Sequence, residues 1–391
     1  MVRRGTVRLP DEIAAKIRVG HPWIYREALG GRPLREKTGD FVEIVDGAGE
    51  FLGRALYEED AILALRVVTR SESEQMGPSM WGRRVAEAVA VRRKVLPAQG
   101  ALDAYRVINA ESDGIPGLTV DKYGDYLVVH VFTPALVPHL DAIYEELVRA
   151  TRAKGVYEQR RFRSLGGEAA PRQGADLVRG EAAPVELEVS EGDLKFWVDP
   201  TAPVSTGLFL DLRDGRKAIR DWAAGRRVLN LFSYTGAISV YAQKGGAKEI
   251  VSVDVMAKAH ARARRNFALN GFDPEKPENI VGDASKVLAK MAERSRRFDM
   301  IVMDPPAFGT AGKGQTFSAV QDYRDLVSAA LAVLDPGGLL VAVTSTHKIS
   351  SEELDRILAD GAARARPQAH LRIVERRWLC LLYTSPSPRD S

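Results

Sequence analysis

Apolar runs and amphipathic stretches alternate regularly in the second half of the chain, from about residue 226 onward. The runs with the length and apolar character of buried strands are RVLNLF, EIVSVDV, ENIVGD, FDMIVMDPP and GLLVAVTS. Between them, helical spacing of apolar residues begins near residue 236 and recurs over 257–270, 285–293 and 319–334. Because strands that alternate with helices pair in parallel, the pattern predicts an α/β domain with a doubly wound, Rossmann-like sheet over residues 201–382.

The first part of the chain has a different pattern of apolar residues. Short β-type runs, FVEIVD (41–46) and AILALRVV (61–68), are separated by glycine-rich turns, which predicts a small β-barrel domain over residues 1–72. The next segment, MWGRRVAEAVAVRRKVL (80–96), spaces valines among arginines as a helix with a basic face does. We interpret it as a connecting helix.

A central α+β domain is predicted over residues 73–200. It contains the strand-like runs YLVVHVF (126–132) and LKFWVDP (194–200), with an amphipathic helix over residues 136–150 between strand segments. The stretch 164–183 is rich in Gly, Arg and Ala and has no periodicity, so we expect an exposed loop there.

Composition narrows the class of protein. The 391 residues are 45% hydrophobic and 28% charged, and no apolar run is long enough to span a bilayer. The opening residues lack the apolar core of a signal peptide, so we expect a cytoplasmic protein without a membrane partner. The single cysteine, Cys380, excludes an internal disulfide and a cysteine-rich zinc site, and no metal is predicted. The net charge of +4 permits contact with nucleic acid but does not require it.

Candidate chemistry is sought where strands end, because ligands of doubly wound sheets bind at the carboxyl ends of the strands. After the first strand of the α/β domain comes a loop in which a glycine lets the backbone approach a ligand. The residues of this predicted cofactor-binding loop are Phe232, Ser233, Tyr234, Thr235 and Gly236. A single glycine also occurs in many ordinary strand-to-helix turns, so the loop alone does not identify a ligand.

Acidic residues follow the later strands. Asp254 ends EIVSVD about twenty residues after the loop, where a carboxylate commonly accepts both hydroxyls of a ribose. Asp283 is placed to accept a hydrogen bond from the amine of adenine, with a helix N-cap as the alternative. In DPPAF, two prolines follow Asp304 and fix a turn that would aim backbone carbonyls, such as that of Pro305, and the ring of Phe308 at a planar substrate. Asp304 itself is predicted to act both in catalysis and in cofactor binding.

Together these strand ends resemble the successive motifs of class I methyltransferases. Such an enzyme uses S-adenosylmethionine as cofactor and needs no metal, since the sulfonium already carries an activated methyl group. A nicotinamide dehydrogenase would use the same kind of sheet, but DPPAF has no role in hydride transfer. An S-adenosylmethionine-dependent methyltransferase is therefore the predicted activity.

The resemblance extends over nearly the whole chain. GHPWIY (20–25) and GDFVEIVD (39–46) are similar to the amino-terminal PUA module of the ribosomal RNA large-subunit methyltransferase I family. RVINAESDGIPGLTVDKYGD (106–125) resembles that family's central signature, and TGLFLDLRDGR (206–216) resembles its entry into the catalytic domain. The family methylates carbon 5 of cytosine in 23S ribosomal RNA, so the resemblance implies RNA as partner and substrate.

Residues within these matching segments have more than one interpretation. Asp211, Arg213 and Arg216 precede the cofactor loop and would hold the methionine end of the cofactor or an RNA phosphate, with a structural salt-bridge cluster as an equal alternative. For Trp23 we expect packing in a core rather than base stacking. Asp113 and Asp121 are expected to shape turns rather than to catalyse.

One position departs from the family. Cytosine carbon 5 is a poor nucleophile, so such enzymes add a cysteine thiolate to carbon 6 before the methyl group is transferred. The family's cysteine lies after the strand that follows DPP, where this chain has TSTHKIS (344–350) with Ser345 in its place. A serine hydroxyl is far less acidic than a thiol and cannot take over that step unaided. Cys380 comes some thirty-five residues later and is expected to be structural.

Three explanations of the departure remain open. The enzyme methylates a base nitrogen, with Asp304 or the Pro305 carbonyl as hydrogen-bond acceptor and help from His347; or it is an RNA-binding relative that has lost catalysis; or another group drives the cytosine chemistry. The sequence also leaves a homodimer open. At the carboxyl end, RRWLCLL (376–382) predicts a final strand, whereas YTSPSPRDS (383–391) has no pattern and is expected to be a non-native tail.

Overall fold

The structure is a computed structural model that describes residues 5–30, 34–162, 174–203, 205–306, 308–311, 315–346, 349–365 and 371–378. Within these, the chain divides into two compact units. The first comprises the residues up to Asp193 together with Val198–Thr206, and the second comprises Leu194–Trp197 and the residues from Gly207 onward. No helix among the described residues is both long enough and apolar enough to cross a membrane.

The first unit begins with a five-stranded sheet and one helix. Its elements are β1 (Thr6–Arg8), α1 (Asp11–Arg18), β2 (Trp23–Tyr25), β3 (Phe41–Val45), β4 (Phe51–Tyr57) and β5 (Leu63–Thr69). The strand order is β1-β3-β4-β5-β2, and apolar side chains such as Val42, Ile44 and Leu65 fill its core. The two β-type runs of the sequence therefore lie in one sheet, as β3 and β5 on either side of β4.

A second five-stranded sheet with two helices completes most of this unit. Its elements are α2 (Pro78–Val95), β6 (Ala104–Asn109), β7 (Leu118–Tyr123), β8 (Tyr126–Val131), α3 (Leu140–Thr151), β9 (Gly155–Arg160) and β10 (Asp176–Gly180), in the strand order β10-β9-β8-β7-β6. The helix predicted over 136–150 starts later, because Pro134–His139 forms a 3-10 turn that contains Pro138. The expected loop over 164–183 is wrong for residues 176–180, which pair antiparallel with β9 as β10.

The two sheets of the first unit share a hydrophobic core. Leu56 and Val68 of the first sheet pack in one cluster with Trp81 of α2 and with residues of the second sheet. A buried polar contact joins them as well: Glu58 accepts hydrogen bonds from Arg66 and from the Thr133 hydroxyl, both at 2.6 Å.

The segment that resembles the family's central signature is held by ion pairs. Asp113 accepts the N–H of Asn109 at 2.6 Å and pairs with Arg92, so it shapes a turn as predicted. Asp121 instead lies within strand β7 and binds the Arg106 guanidinium through both carboxylate oxygens, at 2.8 and 3.1 Å, which corrects the turn assignment.

Trp23 is half-buried rather than the core residue that the sequence predicts. Its indole N–H donates to Glu111 at 2.9 Å, and that glutamate lies in the same signature segment. The contact gives Trp23 a structural partner that no local pattern could reveal, because 88 positions separate the two residues.

Along the chain, a β-hairpin follows β10 and precedes the strands of the parallel sheet. The elements from the hairpin onward are β11 (Leu187–Glu191), β12 (Leu194–Val198), α4 (Arg213–Trp222), β13 (Arg227–Leu231), α5 (Ala237–Lys244), β14 (Glu249–Asp254), α6 (Ala257–Leu269), β15 (Glu278–Val281), α7 (Ala284–Glu293), β16 (Phe298–Met303), β17 (Phe308–Ala311), β18 (Gln315–Ser318), α8 (Ala319–Val333), β19 (Leu334–Ala342) and α9 (Ser351–Ala365).

The sheet of the second unit is parallel throughout, in the order β15-β14-β13-β16-β19. Its central strands are mainly apolar, for example at Leu229, Val251 and Ile301. Buried Asn230 and Ser252 are exceptions, and the Ser239 hydroxyl is hydrogen-bonded to both at 2.9 and 2.8 Å. The predicted α/β class and doubly wound sheet are confirmed.

The structure of this unit adds two strands that the sequence does not predict and corrects one expectation. After the DPP turn, β17 and β18 pair antiparallel. Residues 376–378 are not part of a strand, and the rest of the predicted final strand, like Cys380 and the expected tail 383–391, lies outside the described residues.

Candidate functional site

The order of strands in the second unit creates a topological switch point in its sheet. The chain runs outward from β13 to β14 and β15, then starts again on the other side of β13 with β16 and β19. Between β13 and β16 the connections diverge, and ligands of such sheets bind at this switch point, beyond the carboxyl ends of the strands. The loop after β13, Asp254 and Asp304 all follow strands at this edge.

The loop after β13 has an unusual backbone. Phe232 and Tyr234 have left-handed φ angles of +59° and +46°. Such conformations are costly for bulky residues and persist where the surroundings enforce them, as they often do at functional sites. The intervening Ser233 donates its backbone N–H to Val253 at 2.9 Å and accepts one from Gly236 at 2.9 Å, which closes the loop.

Asp254 fixes the loop from the neighbouring strand. One carboxylate oxygen accepts the backbone N–H of Tyr234 at 2.8 Å, and the other accepts that of Met256 at 2.9 Å. A carboxylate offers about four acceptor positions, so two such bonds leave capacity for the two hydroxyls of a ribose. The carboxylate is thus oriented by the protein itself.

Gly236 is required here for packing. Its φ is +75°, and a Cβ at this position would lie 2.6 Å from the Cβ of Ala263 on α6. The sequence suggested that the glycine lets a ligand approach the backbone, but the close neighbour that the structure shows is a helix.

Thr235 ties the loop to two other segments. Its buried hydroxyl donates to the carbonyl of Gly207 at 2.6 Å, and its own carbonyl accepts from the Asn266 side chain at 2.9 Å. Sequence reasoning missed Asn266, whose signal is a polar residue on the buried face of α6.

Ser233 in the same loop has an unsatisfied hydroxyl group. Its side-chain hydroxyl is buried, and it has no hydrogen-bond partner among the described residues. Buried polar atoms nearly always have partners, so an orphaned one beside an oriented carboxylate is an observation that fits a polar ligand. The cofactor-binding loop and Asp254 therefore fit the ribose and the polar methionine end of S-adenosylmethionine.

Asp283 caps a helix. It follows β15, and its side chain accepts the backbone N–H of Lys286 at 3.0 Å at the start of α7. The N-cap alternative is therefore confirmed, while contact with an adenine stays a prediction.

Asp304 follows β16 in an environment that disfavours its charge. The residue keeps partial exposure, but its carboxyl group is enclosed by protein. Burial, together with the negative charge of Asp211, raises the pKa of Asp304 to about 7, against the opposing effect of Arg216. The carboxyl group of Asp304 therefore changes charge near neutral pH, as general acids and bases commonly do.

Tyr323 on α8 is a further neighbour of Asp304. Burial, and after it the charge of Asp304, raises the pKa of the Tyr323 phenol, which donates to the carbonyl of Val343 at 2.8 Å. The phenol thus stays protonated and fixes the backbone just after β19.

The predicted arginines lie on α4 and are buried. Arg213 is 2% exposed and Arg216 is 1% exposed, so neither presents its guanidinium at the surface, where an RNA phosphate would bind. Arg216 donates to the carbonyl of Phe209 at 2.7 Å and lies over the Tyr241 ring. For Arg216 this geometry favours the structural interpretation over phosphate contact.

The remaining predicted catalytic residues lie at the same edge of the sheet. Pro305 is buried directly after Asp304, and the backbone of Phe308 begins β17, although its side chain is outside the described part. Ser345 is exposed, three residues after β19, the strand that pairs in parallel with β16 up to Ala342. His347 lies outside the described residues.

Comparisons with known proteins agree with this geometry. Residues 112–379 match the family model for S-adenosylmethionine-dependent methyltransferases, and residues 7–70 match that for PUA-like domains. A protein of Tolumonas auensis named ribosomal RNA large subunit methyltransferase I is 35% identical over 94% of this chain and 92% of its own length. Its namesake from Photobacterium profundum is 34% identical over 89% and 87%.

Solved structures show the same fold. A methyltransferase crystallised in complex with SAH superposes with a TM-score of 0.86 at 22% identity, covering 98% of this chain and 96% of that chain. An S-adenosylmethionine-dependent methyltransferase structure from Streptococcus mutans gives a TM-score of 0.84 at 23% identity, covering 97% and 95%. At such identities the likeness concerns the fold alone.

Proposed function

Since the chain belongs to the S-adenosylmethionine-dependent methyltransferase family, we propose that it transfers a methyl group to a base of 23S ribosomal RNA. RNA is proposed as the substrate because proteins that resemble this chain over most of its length are named ribosomal RNA large subunit methyltransferase I. The observation that carries the proposal is the placement of Asp254 and Asp304 on either side of the sheet's switch point. An oriented carboxylate for the cofactor and a titrating carboxyl for the substrate thus lie at one edge.

The cofactor would be held by the loop Phe232–Gly236 and by the two strand-end acids beside it. Asp254, whose two oxygens accept backbone N–H groups, would bind the ribose, and Asp283, which caps α7, would contact the adenine. When bound, S-adenosylmethionine supplies a methyl group that its sulfonium has already activated. The protein has to align the acceptor atom with that methyl group and to manage one proton.

The acceptor atom depends on two residues. The resemblance implies carbon 5 of cytosine, which requires a thiolate nucleophile, whereas the chain has the exposed hydroxyl of Ser345 at the corresponding place. Asp304, with a pKa near 7, suits a different reaction, because a base nitrogen attacks the methyl group directly and then needs a group that accepts its proton. A methylated base nitrogen is therefore the second candidate product.

Nucleoside mass spectrometry of methylated RNA tests the proposal. Unmodified 23S ribosomal RNA is incubated with the protein and labelled S-adenosylmethionine, then digested and analysed. A methylated nitrogen would support the role of Asp304, and 5-methylcytosine would show that another group replaces the cysteine. No transfer, together with retained RNA binding, would favour the relative that has lost catalysis.

Ser345→Cys is the companion variant. If Ser345 occupies the place of the family's cysteine, the introduced thiol gives or increases formation of 5-methylcytosine. Ser345→Ala is the matched control, since it changes the same exposed position without adding a nucleophile. Equal products from both variants would contradict the assignment of position 345.

The cellular location and the oligomeric state of the protein stay predictions. We propose that the protein acts in the cytoplasm, where ribosomal RNA would be available. The homodimer that the sequence left open is tested by sedimentation of the full chain at several concentrations.

A further inference from the structure

An aromatic side chain lies exposed beside the cofactor loop. Phe209 presents 52% of its surface to solvent, and the centre of its ring is 5.5 Å from that of Tyr234, with the planes inclined at 47°. Both neighbours of Phe209 in sequence, Leu208 and Leu210, are buried. The segment therefore anchors itself through the leucines and leaves the larger aromatic ring uncovered.

The backbone around Phe209 is held from two sides. Arg216, itself buried, donates to the Phe209 carbonyl at 2.7 Å, and the Thr235 hydroxyl donates to the Gly207 carbonyl at 2.6 Å. The ring is consequently offered on a fixed backbone, which lowers the cost of ordering when a flat ligand stacks on it.

The same segment reaches the titrating carboxyl group. Asp211, two residues after Phe209, is close enough to Asp304 for its charge to raise the pKa of that carboxyl. The segment thus contacts the loop after β13 at one end and approaches the end of β16 at the other. An acceptor base must lie between these two strand ends if its reacting atom is to reach both the methyl group and Asp304.

We infer that Phe209, backed by Tyr234, is the stacking surface for the acceptor base, an inference that rests on the proposed function. Every base has a flat π-face, and proteins that take a base out of its stack commonly hold it against aromatic side chains. The adenine of the cofactor is also flat, so the test has to distinguish the two. The RNA base is favoured because the segment that carries Phe209 runs toward Asp304, whereas Asp254 and Asp283 follow strands on the other side of β13.

The test compares Phe209→Leu with Phe209→Trp in the full chain. Leucine removes the aromatic face and keeps an apolar side chain, while tryptophan keeps a stacking face. For Phe209→Leu we expect kcat/KM for unmodified 23S ribosomal RNA to fall about 10-fold to 100-fold, the range typical of losing one base–aromatic stack. The affinity for S-adenosylhomocysteine, measured by calorimetry, and the Tm should stay unchanged, and Phe209→Trp should restore most of the activity.

Phe272→Leu is the matched control. Phe272 also belongs to an aromatic pair of the second unit, with its ring 6.1 Å from that of Phe267. It lies between α6 and the first residue of β15, at the amino ends of the strands, whereas the candidate site lies at their carboxyl ends. This variant should leave kcat/KM for RNA unchanged.

The outcomes separate the inference from the function on which it rests. If the wild-type protein methylates RNA and Phe209→Leu does so equally well, the stacking surface is wrong and the proposed function stands. Weaker S-adenosylhomocysteine binding by Phe209→Leu would assign the ring to the cofactor and overturn the inference. Absence of transfer by the wild-type protein would overturn both.

Discussion

The carboxyl group of Asp304 illustrates how one residue's surroundings set its chemistry. A carboxyl group in water is ionised well below neutral pH, but enclosure by protein and the nearby charge of Asp211 raise the pKa of Asp304 to about 7. The buried Arg216 limits this effect without cancelling it. A proton can therefore be taken up or released by Asp304 under the conditions in which the protein works.

The rate of methyl transfer should depend on pH through Asp304. If the ionised carboxylate accepts a proton from the base, the rate falls about tenfold for each pH unit below 7 and levels off above it. Asp211→Asn removes a repelling charge, lowers the pKa of Asp304 and moves the profile toward lower pH. Single-turnover rates from pH 5.5 to 8.5 measure this. A profile that is flat, or that Asp211→Asn does not move, would contradict the role.

The same group should affect the stability of the fold. In the unfolded chain an aspartate ionises near its model value of 3.8, while folded Asp304 keeps its proton up to about pH 7. Between these values the unfolded state gains charge that the folded state cannot, so stability is lost as pH rises toward 7, by up to about 4 kcal/mol. Asp304→Asn should therefore stabilise the protein relative to the wild type at pH 8 but not at pH 4. Urea unfolding at both pH values checks this. The same difference in free energy of unfolding between variant and wild type at pH 4 and at pH 8 would contradict the prediction.

At the scale of elements, Asp283 caps a helix, and contact with the cofactor's adenine is a second role predicted for the same side chain. Its bond to the Lys286 N–H satisfies one of the free donors at the start of α7. The helix therefore presents its amino-terminal end at the same edge of the sheet as the cofactor loop.

Capping and cofactor binding by Asp283 can be separated. Asp283→Ala should lower the free energy of unfolding by about 1 kcal/mol through loss of the cap, whereas Asp283→Ser should keep most of it. If the carboxylate also binds adenine, both variants lose affinity for S-adenosylhomocysteine, which calorimetry measures. Full affinity in the serine variant would show that the residue only caps the helix.

Elements with a strong local pattern could be predicted from the sequence. The alternation that begins with RVLNLF predicts β13, β14, β15, β16 and β19 in the right order, because long apolar strands and amphipathic helices have clear local patterns. The strands β17 and β18 are not predicted. The strand β10 could not be predicted, since its glycine and arginine residues have no periodicity and it forms by pairing with β9. Likewise, no pattern reveals that Asp211 lies beside Asp304, because the sheet brings together segments far apart in the chain.

At the scale of the whole molecule, the two sheets of the first unit share a core across the boundary between the two domains that the sequence predicts there. Leu56 and Val68 of the first sheet are covered by residues of the second, and Glu58 joins Arg66 to Thr133 across the same boundary. A carboxylate at such a place is stabilising only while both partners are present.

Glu58→Ala should destabilise the first unit strongly. It leaves the Arg66 guanidinium buried without its charge partner, and breaking a buried pair in this way costs about 3–5 kcal/mol. Glu43→Ala is the matched control, because Glu43 pairs with Arg54 at 3.8 Å and is partly exposed, so that its loss costs about 1 kcal/mol or less. Thermal unfolding of the full chain compares the two, and similar shifts in Tm would contradict the importance of the buried contact.

The two amide hydrogen bonds of Asp254 have a consequence for how the cofactor arrives. Because the carboxylate accepts hydrogen bonds from the N–H groups of Tyr234 and Met256, contacts within the protein hold the backbone of the loop that we propose for the cofactor. We therefore expect the loss of backbone entropy in this loop to belong to folding and not to association. The expected consequence is that cofactor and product exchange at a rate set by their diffusion and contacts, rather than by a rearrangement of the chain.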